Sequence, residues 1–238
     1  MPTDLLAIAA HRDDVELTCG GTLIRAVDQG YTTGILDLTA GETGTRGSAE
    51  LRAQEAERAA RVMGVAERRN AGLPDAHLAN TDAMRRVVVE AIRHFQPKTV
   101  ILPFPVGRHP DHRIASELAR DACFLAGLRK YDAAGEPHRP AKILYALAYR
   151  EDPVKPTFVV DVSGQFDRKL EAIRCYASQF DGADSAGEIF PTGQDLYSLV
   201  ETQSRHYGSL IRRPHGEPFF THETVLVEDV VALGVKSM

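Results

Sequence analysis

Cysteine is scarce in this 238-residue chain: there are three, Cys19, Cys123 and Cys175, far apart and at no zinc-ligand spacing. A set so sparse and odd in number argues against a disulfide framework and suits a reducing compartment, so a cytoplasmic protein is expected. Long apolar runs are also missing. None approaches the roughly 20 residues that span a bilayer. The N-terminus lacks the basic region, apolar core and cleavage site of a signal peptide, so no membrane association is expected. Nor is there an excess of positive charge. The 28 Lys and Arg stand against 33 Asp and Glu, a net charge of -5 with a pI of about 6.0, which leaves no electrostatic case for nucleic acid. The pairs Arg85-Arg86 and Arg212-Arg213 read as solvated surface.

What is present suits an ordinary folded domain. With 43% hydrophobic and 26% charged residues, the chain is ample for a substantial core. No linker or repeat interrupts it, so one domain spanning 1–238 is expected. Leu5 to Ala9 is a continuous apolar run, the pattern of a strand buried on both faces of a parallel sheet. Further strands are expected at Thr33 to Thr39, Glu67 to Leu73, Thr99 to Leu102, Lys142 to Tyr149 and Thr157 to Val162. Thr224 to Val227 would be a last strand or an edge segment. Helices are expected at Leu23 to Val27, from the Ser48 cap to about Met63, from Thr81 or Asp82 to Phe95, at Arg113 to Leu128, Ser163 to Ala177 and Asp195 to Leu210. Asp181 to Gly193, rich in Gly, Asp and Ser, reads as an exposed loop. The alternation implies an α/β fold, a single Rossmann-like domain with a largely parallel sheet flanked by helices.

Two of the apolar runs end in similar chemistry. Ala10-His11-Arg12-Asp13-Asp14 follows the first strand, and Arg108-His109-Pro110-Asp111-His112 follows the strand at Thr99. Ligands in such sheets bind beyond the carboxyl ends of the strands, so the two clusters are expected to meet there. A catalytic zinc takes three protein ligands, neutral imidazole and carboxylate among them, and keeps one position for water. The candidates are His11, Asp13, Asp14, His109, Asp111 and His112. Consecutive side chains diverge, so one of Asp13 and Asp14 would bind metal while the other faces the water. By the same logic one of His109 and His112 would ligate and the other touch substrate. A carboxylate can accept the proton of a water whose pKa the metal lowers, and an imidazole opposite can stabilise an oxyanion. That constellation suits amide hydrolysis. The competing reading of the first turn as a dinucleotide site fails, because Cys19-Gly20-Gly21 lacks G-x-G-x-x-G and an acidic turn repels pyrophosphate.

At these residues the chain resembles the LmbE/PIG-L superfamily of zinc-dependent N-deacetylases. The superfamily's first motif, Ala-His-Pro-Asp-Asp followed by Gly-Gly-Thr, matches Ala10 to Asp14 and Gly20-Gly21-Thr22, with Arg12 in place of the proline. A locally different turn is expected there. The second motif, His-Pro-Asp-His, matches His109 to His112. Thr45-Arg46-Gly47-Ser48 with Glu50-Leu51-Arg52, Tyr176 to Phe180, and Gly216-Glu217-Pro218-Phe219 are similar to the bacillithiol-biosynthesis branch. That branch deacetylates N-acetylglucosaminyl-malate, and its close relatives act on other small N-acetylglucosamine compounds. The resemblance implies a hydrolase releasing acetate and a free amine. It implies His11, Asp14 and His112 as zinc ligands (iron(II) could use the same set), Asp13 as general base and His109 as oxyanion stabiliser. Asp111 would orient His109 and keep it charged, and Arg52 and Arg108 would face the substrate. Members of the branch form hexamers, so a homo-oligomer, in hexameric form, is expected. The same chemistry on a chitooligosaccharide or a thiol-conjugate amide is the alternative, and a non-catalytic sugar-binding relative the third. Without the resemblance, Arg52 and Glu55, three apart on a helix, would simply be a surface salt pair. His77, His94, His138, His206, His215 and His222 lack partners at metal spacing and read as surface or packing residues. Cys19 reads as a small buried side chain. Tyr197 could reach the site or lie elsewhere.

Overall fold

The computed structural model describes residues 2–148, 154–181 and 195–235. Strand β1 (Leu5–Ala9) lies parallel to β2 (Thr33–Thr39) on one side and to β4 (Thr99–Pro103) on the other. β3 (Glu67–Leu73) continues in parallel beyond β2, and β5 (Lys142–Ala146) beyond β4. β7 (Gly216–Phe220) runs antiparallel to both β5 and β6 (Phe158–Asp161), closing a seven-stranded sheet in the order β3-β2-β1-β4-β5-β7-β6.

Helices cover both faces, and the period of two in β1 shows how. Leu6 and Ile8 point to one side and join Val88 and Ile92 of α3 (Asp82–Phe95) and Leu118 and Ala122 of α4 (Pro110–Ala126). Ala7 and Ala9 point to the other side, toward Leu23 of α1 (Asp14–Asp28), Met63 of α2 (Ala49–Met63) and Ala172 of α5 (Phe166–Arg174). Each wholly buried Leu, Ile, Val or Met side chain among these stabilises the fold by about 1.5–3 kcal/mol. A short α6 (Ala177–Phe180) follows, and α7 (Leu196–Leu210) packs on β7. No described helix is long and apolar enough to cross a membrane.

Ser48 Oγ accepts the Leu51 N–H at 3.2 Å to start α2, and Gly64, at φ +77°, ends it. Four expectations change. α1 begins at Asp14 rather than Leu23, because the acidic motif itself forms its first turn. α4 begins at Pro110 rather than Arg113, proline being suited to a first helical position, where an N–H would lack a partner. The stretch from Ser163 to Ala177 breaks after Arg174. The last strand is Gly216–Phe220, not Thr224 to Val227; Val225 and Leu226 are exposed. Tyr149 and residues 182–193 of the expected loop lie outside the described residues.

β1 leads through α1 to β2, whereas β4 leads through α4 to β5 on the other side. The strand order therefore reverses between β1 and β4, and a crevice is expected just beyond their carboxyl ends.

Candidate active site

A cavity of about 480 Å³ occupies that position, lined by His11, Asp13, Asp14, Arg52, His109 and His112 among others. The turn after β1 supplies the first two, the opening of α1 the third, and the start of α4 both later histidines. Three donors converge. His11 Nδ1 lies 3.3 Å from Asp14 Oδ2, His112 Nε2 lies 3.1 Å from Asp14 Oδ1, and the two ring nitrogens are 3.3 Å apart. Bonds of about 2.0–2.2 Å to a tetrahedral zinc would set its ligand atoms roughly 3.3–3.6 Å apart. The donor set and its spacing therefore fit a metal ion, and His11, Asp14 and His112 form a group that could hold one. The His11 N–H also donates to Asp14 Oδ2 at 2.9 Å, fixing the carboxylate against its own turn.

Electrostatics follow from the crowding. Burial would raise the Asp14 carboxyl, but His112 and His11 beside it hold it well below the ordinary carboxylate range. Burial would lower His11, yet Asp14 and then Asp75 outweigh it and raise the imidazole to about 11. Any metal taken up here must displace protons, so binding weakens as pH falls.

Asp75 is the residue the sequence reading missed. It follows β3, and its Oδ1 lies 3.1 Å from His11 Nε2, the nitrogen turned away from the metal group. Thr43 donates to Asp75 Oδ2 through its N–H at 3.0 Å and its hydroxyl at 2.6 Å, and Glu42 accepts the Asp75 N–H at 2.8 Å. A carboxylate on the far nitrogen of a ligating histidine fixes its tautomer and raises its basicity. The available signal was Pro74-Asp75 at the end of a parallel strand, the same place as the two recognised motifs. Asp75→Asn is expected to weaken metal binding by about 10–100-fold with the fold kept, as measured by chelator competition and far-UV circular dichroism.

Asp111 has partners besides His109. Its carboxylate accepts the Ala76 N–H at 2.8 Å and lies 3.6 Å from His11 Nε2. It is the Asp111 backbone N–H that reaches His109, donating to Nδ1 at 3.2 Å and capping α4. A ring that accepts at Nδ1 carries its proton on Nε2. Partial desolvation, then the neighbouring His112 and His11, lower the His109 pKa from its ordinary value, against the pull of Asp14 and Asp111. The ring stacks on His112 at 4.5 Å between centroids. Ala76, at φ +61°, takes the left-handed conformation that aims its N–H at Asp111.

Arg52 is buried rather than paired on the surface with Glu55. Its Nη2 stands 3.4 Å from Asp13 Oδ1, and Nη1 donates to the Gly41 carbonyl at 3.0 Å. Gly41 sits at φ +71°, and a Cβ there would fall 2.0 Å from that guanidinium, so a side chain would strain the loop and push Arg52 aside. Glu55 instead accepts from the Ser178 N–H and hydroxyl. Arg108 and Arg46 also line the cavity. The Arg12 side chain, where the resemblance expects proline, donates to the Ala49 carbonyl at the start of α2. Among the other histidines, His94 pairs with Glu67, His138 meets the Pro97 carbonyl, and His215 stacks on Phe166. Tyr197 bonds Asp181. Cys19 is buried, and burial pushes its thiol up.

Comparison with known proteins agrees with this geometry. Residues 6–123 match the family described as PIG-L: GlcNAc-PI de-N-acetylase. The diacetylchitobiose deacetylase of Thermococcus kodakarensis is 31% identical over 191 residues, covering 74% of this chain and 70% of that one. A conserved protein of Thermus thermophilus, of known crystal structure, is 39% identical and superimposes with a TM-score of 0.85 over 94% of this chain and 97% of its own. A relative named for a different reaction, the 4-oxalmesaconate hydratase of Pseudomonas putida, is 27% identical over 203 residues, 73% of each chain.

Proposed function

Since the chain belongs to the PIG-L de-N-acetylase family, whose deacetylases hydrolyse amide bonds, we propose that it is a zinc-dependent N-deacetylase of an N-acetylglucosamine conjugate. The substrate that the softer sequence motifs favour is N-acetylglucosaminyl-malate. The single observation behind the reaction is the convergence of His11, Asp14 and His112 at zinc-ligand separations, with Asp13 beside them on the same cavity. A zinc ion there would lower the pKa of a bound water toward about 7 and polarise the amide carbonyl. Asp13, with the Arg52 guanidinium 3.4 Å from its carboxylate, takes the proton of the attacking water and returns it to the amine nitrogen as the C–N bond breaks. The His109 Nε2–H donates a hydrogen bond to the oxygen on which negative charge develops. Asp111 and Asp75 hold His11 from behind. Arg46, Arg52 and Arg108 around the cavity support an anionic aglycone, whose carboxylate a guanidinium fork binds well.

The exposed Val225, Leu226, Val230 and Val231 support the expected homo-oligomer, which light scattering tests. For the reaction, zinc-loaded protein is given N-acetylglucosaminyl-malate, diacetylchitobiose and a neutral N-acetylglucosaminide, and free amine is measured. Amine is expected from the malate conjugate first, and its release is expected to stop on chelation and return with zinc. Faster release from diacetylchitobiose, the substrate named for the Thermococcus relative, would favour the chitooligosaccharide alternative. Amine from none of them, with the metal in place, would sink the deacetylase reading and turn attention to hydration.

A further inference from the structure

α1 is broken. Cys19, at φ -141° and ψ 16°, leaves helical geometry and separates a first turn carrying Asp14 from a longer part whose Leu23 and Ile24 pack on the sheet. A break inside a helix leaves carbonyls of the first part and N–H groups of the second without partners. One buried ion pair meets both needs. The Lys169 ammonium, from α5, donates to the Leu17 carbonyl at 3.0 Å and to Glu217 Oε1 at 2.6 Å. The Glu217 carboxylate, from β7, accepts the Gly21 N–H at 2.9 Å, the Thr22 N–H at 2.7 Å and the Thr22 hydroxyl at 2.6 Å. Each charge sits where a helix end favours it, the cation at a C-terminal end and the anion at an N-terminal one. A Cβ at Gly21 would come within 2.9 Å of Val162 and 3.0 Å of Glu217 Oε1, so that glycine admits the carboxylate. Gly20-Gly21-Thr22 and Gly216-Glu217-Pro218-Phe219, far apart in sequence, are thus two halves of one joint.

We propose that Lys169 and Glu217 are positioning residues for the metal group: they hold the break in α1 and so set the direction in which its first turn presents Asp13 and Asp14. Leu17, Thr18 and Cys19, at the break, line the cavity; the charged pair does not, and acts only through the helix. Both side chains are buried, 3% and 2% exposed. A buried ion pair is a poor source of net stability compared with apolar side chains of the same volume. What an apolar pair could not do is accept two backbone N–H groups and donate to a carbonyl across a helix break.

The inference rests on the metal-group reading, and zinc affinity tests it without any substrate. The neutral double variant Lys169→Met/Glu217→Gln keeps the packing volume. It is expected to bind zinc about 10-fold more weakly, with kcat reduced and KM unchanged, and to melt lower than wild type because the Leu17 carbonyl loses its donor. Hydrogen exchange should quicken at Gly21 and Thr22. Thr22→Val, which loses one hydroxyl contact and spares the fold, should show the same pattern in smaller measure. Unchanged zinc affinity in both variants overturns the proposal, whatever their melting temperatures. Wild-type protein that binds zinc but releases no amine defeats the deacetylase reading and leaves the affinity comparison standing. Wild-type protein that binds no divalent ion defeats both.

Discussion

Asp13→Ala is expected to lower kcat for amide hydrolysis by about 10²–10⁴-fold, the usual contribution of a positioned general base, while zinc uptake stays intact. The two effects separate because Asp13 stands outside the converging donors His11, Asp14 and His112. Its carboxylate faces the same cavity with Arg52 at 3.4 Å, so truncation removes a proton acceptor and leaves the metal group in place. His112→Ala is the contrasting case. It removes one of three donors, and both metal and turnover should go. The pair is read by metal analysis after dialysis and by amine release from the same samples. Near-normal turnover in Asp13→Ala would mean that another group takes the proton, and would remove the central step of the proposed mechanism.

How much of this was legible beforehand depends on whether a residue's partners are near in sequence. Ser48, Thr81 and Asp195 are caps whose acceptors serve N–H groups three residues on, so α2, α3 and α7 could be placed closely. His11 and Asp14, and His109 and His112, are local clusters at strand ends, so both were expected at the carboxyl edge of a parallel sheet, and the pairing of β1 with β4 brings them together. Asp75 looked like a turn residue because its partners, His11 and Thr43, lie 64 and 32 positions away. The true start of α1 was hidden for a related reason: the helix was placed from Leu23, and the carboxylate that receives the Gly21 and Thr22 N–H groups comes from Glu217. β7 escaped notice because Gly216-Glu217-Pro218 has little strand propensity, yet Pro218 and Glu217 face Val159 and Val160 of β6 in register.

The second large effect concerns a buried group no motif announced. Arg68, on β3, donates from Nε and Nη2 to the two oxygens of Asp37 at 2.7 and 2.8 Å and from Nη1 to Glu16 Oε1 at 2.6 Å. It also reaches the Arg12 carbonyl, as does the Tyr176 hydroxyl, so the peptide between His11 and Asp13 is held from beneath. Arg68→Met would leave two buried carboxylates without their cation, and breaking a buried ion network in this way costs about 3–5 kcal/mol. The loss should depend on pH, with a definite sign. Burial, against the pull of Arg68, raises Glu16 from 4.5 to about 7, and Asp37 is raised likewise. A carboxyl whose folded pKa exceeds its unfolded one stabilises most when protonated in both states, and that contribution fades as pH rises through the folded value. Without the guanidinium both folded values climb further, so the fading continues to higher pH. Urea midpoints should therefore differ more between variant and wild type at pH 8 than at pH 5. Equal deficits at the two pH values would place the damage in lost packing, not in the stranded carboxylates, and would leave the Arg12 turn without an electrostatic anchor.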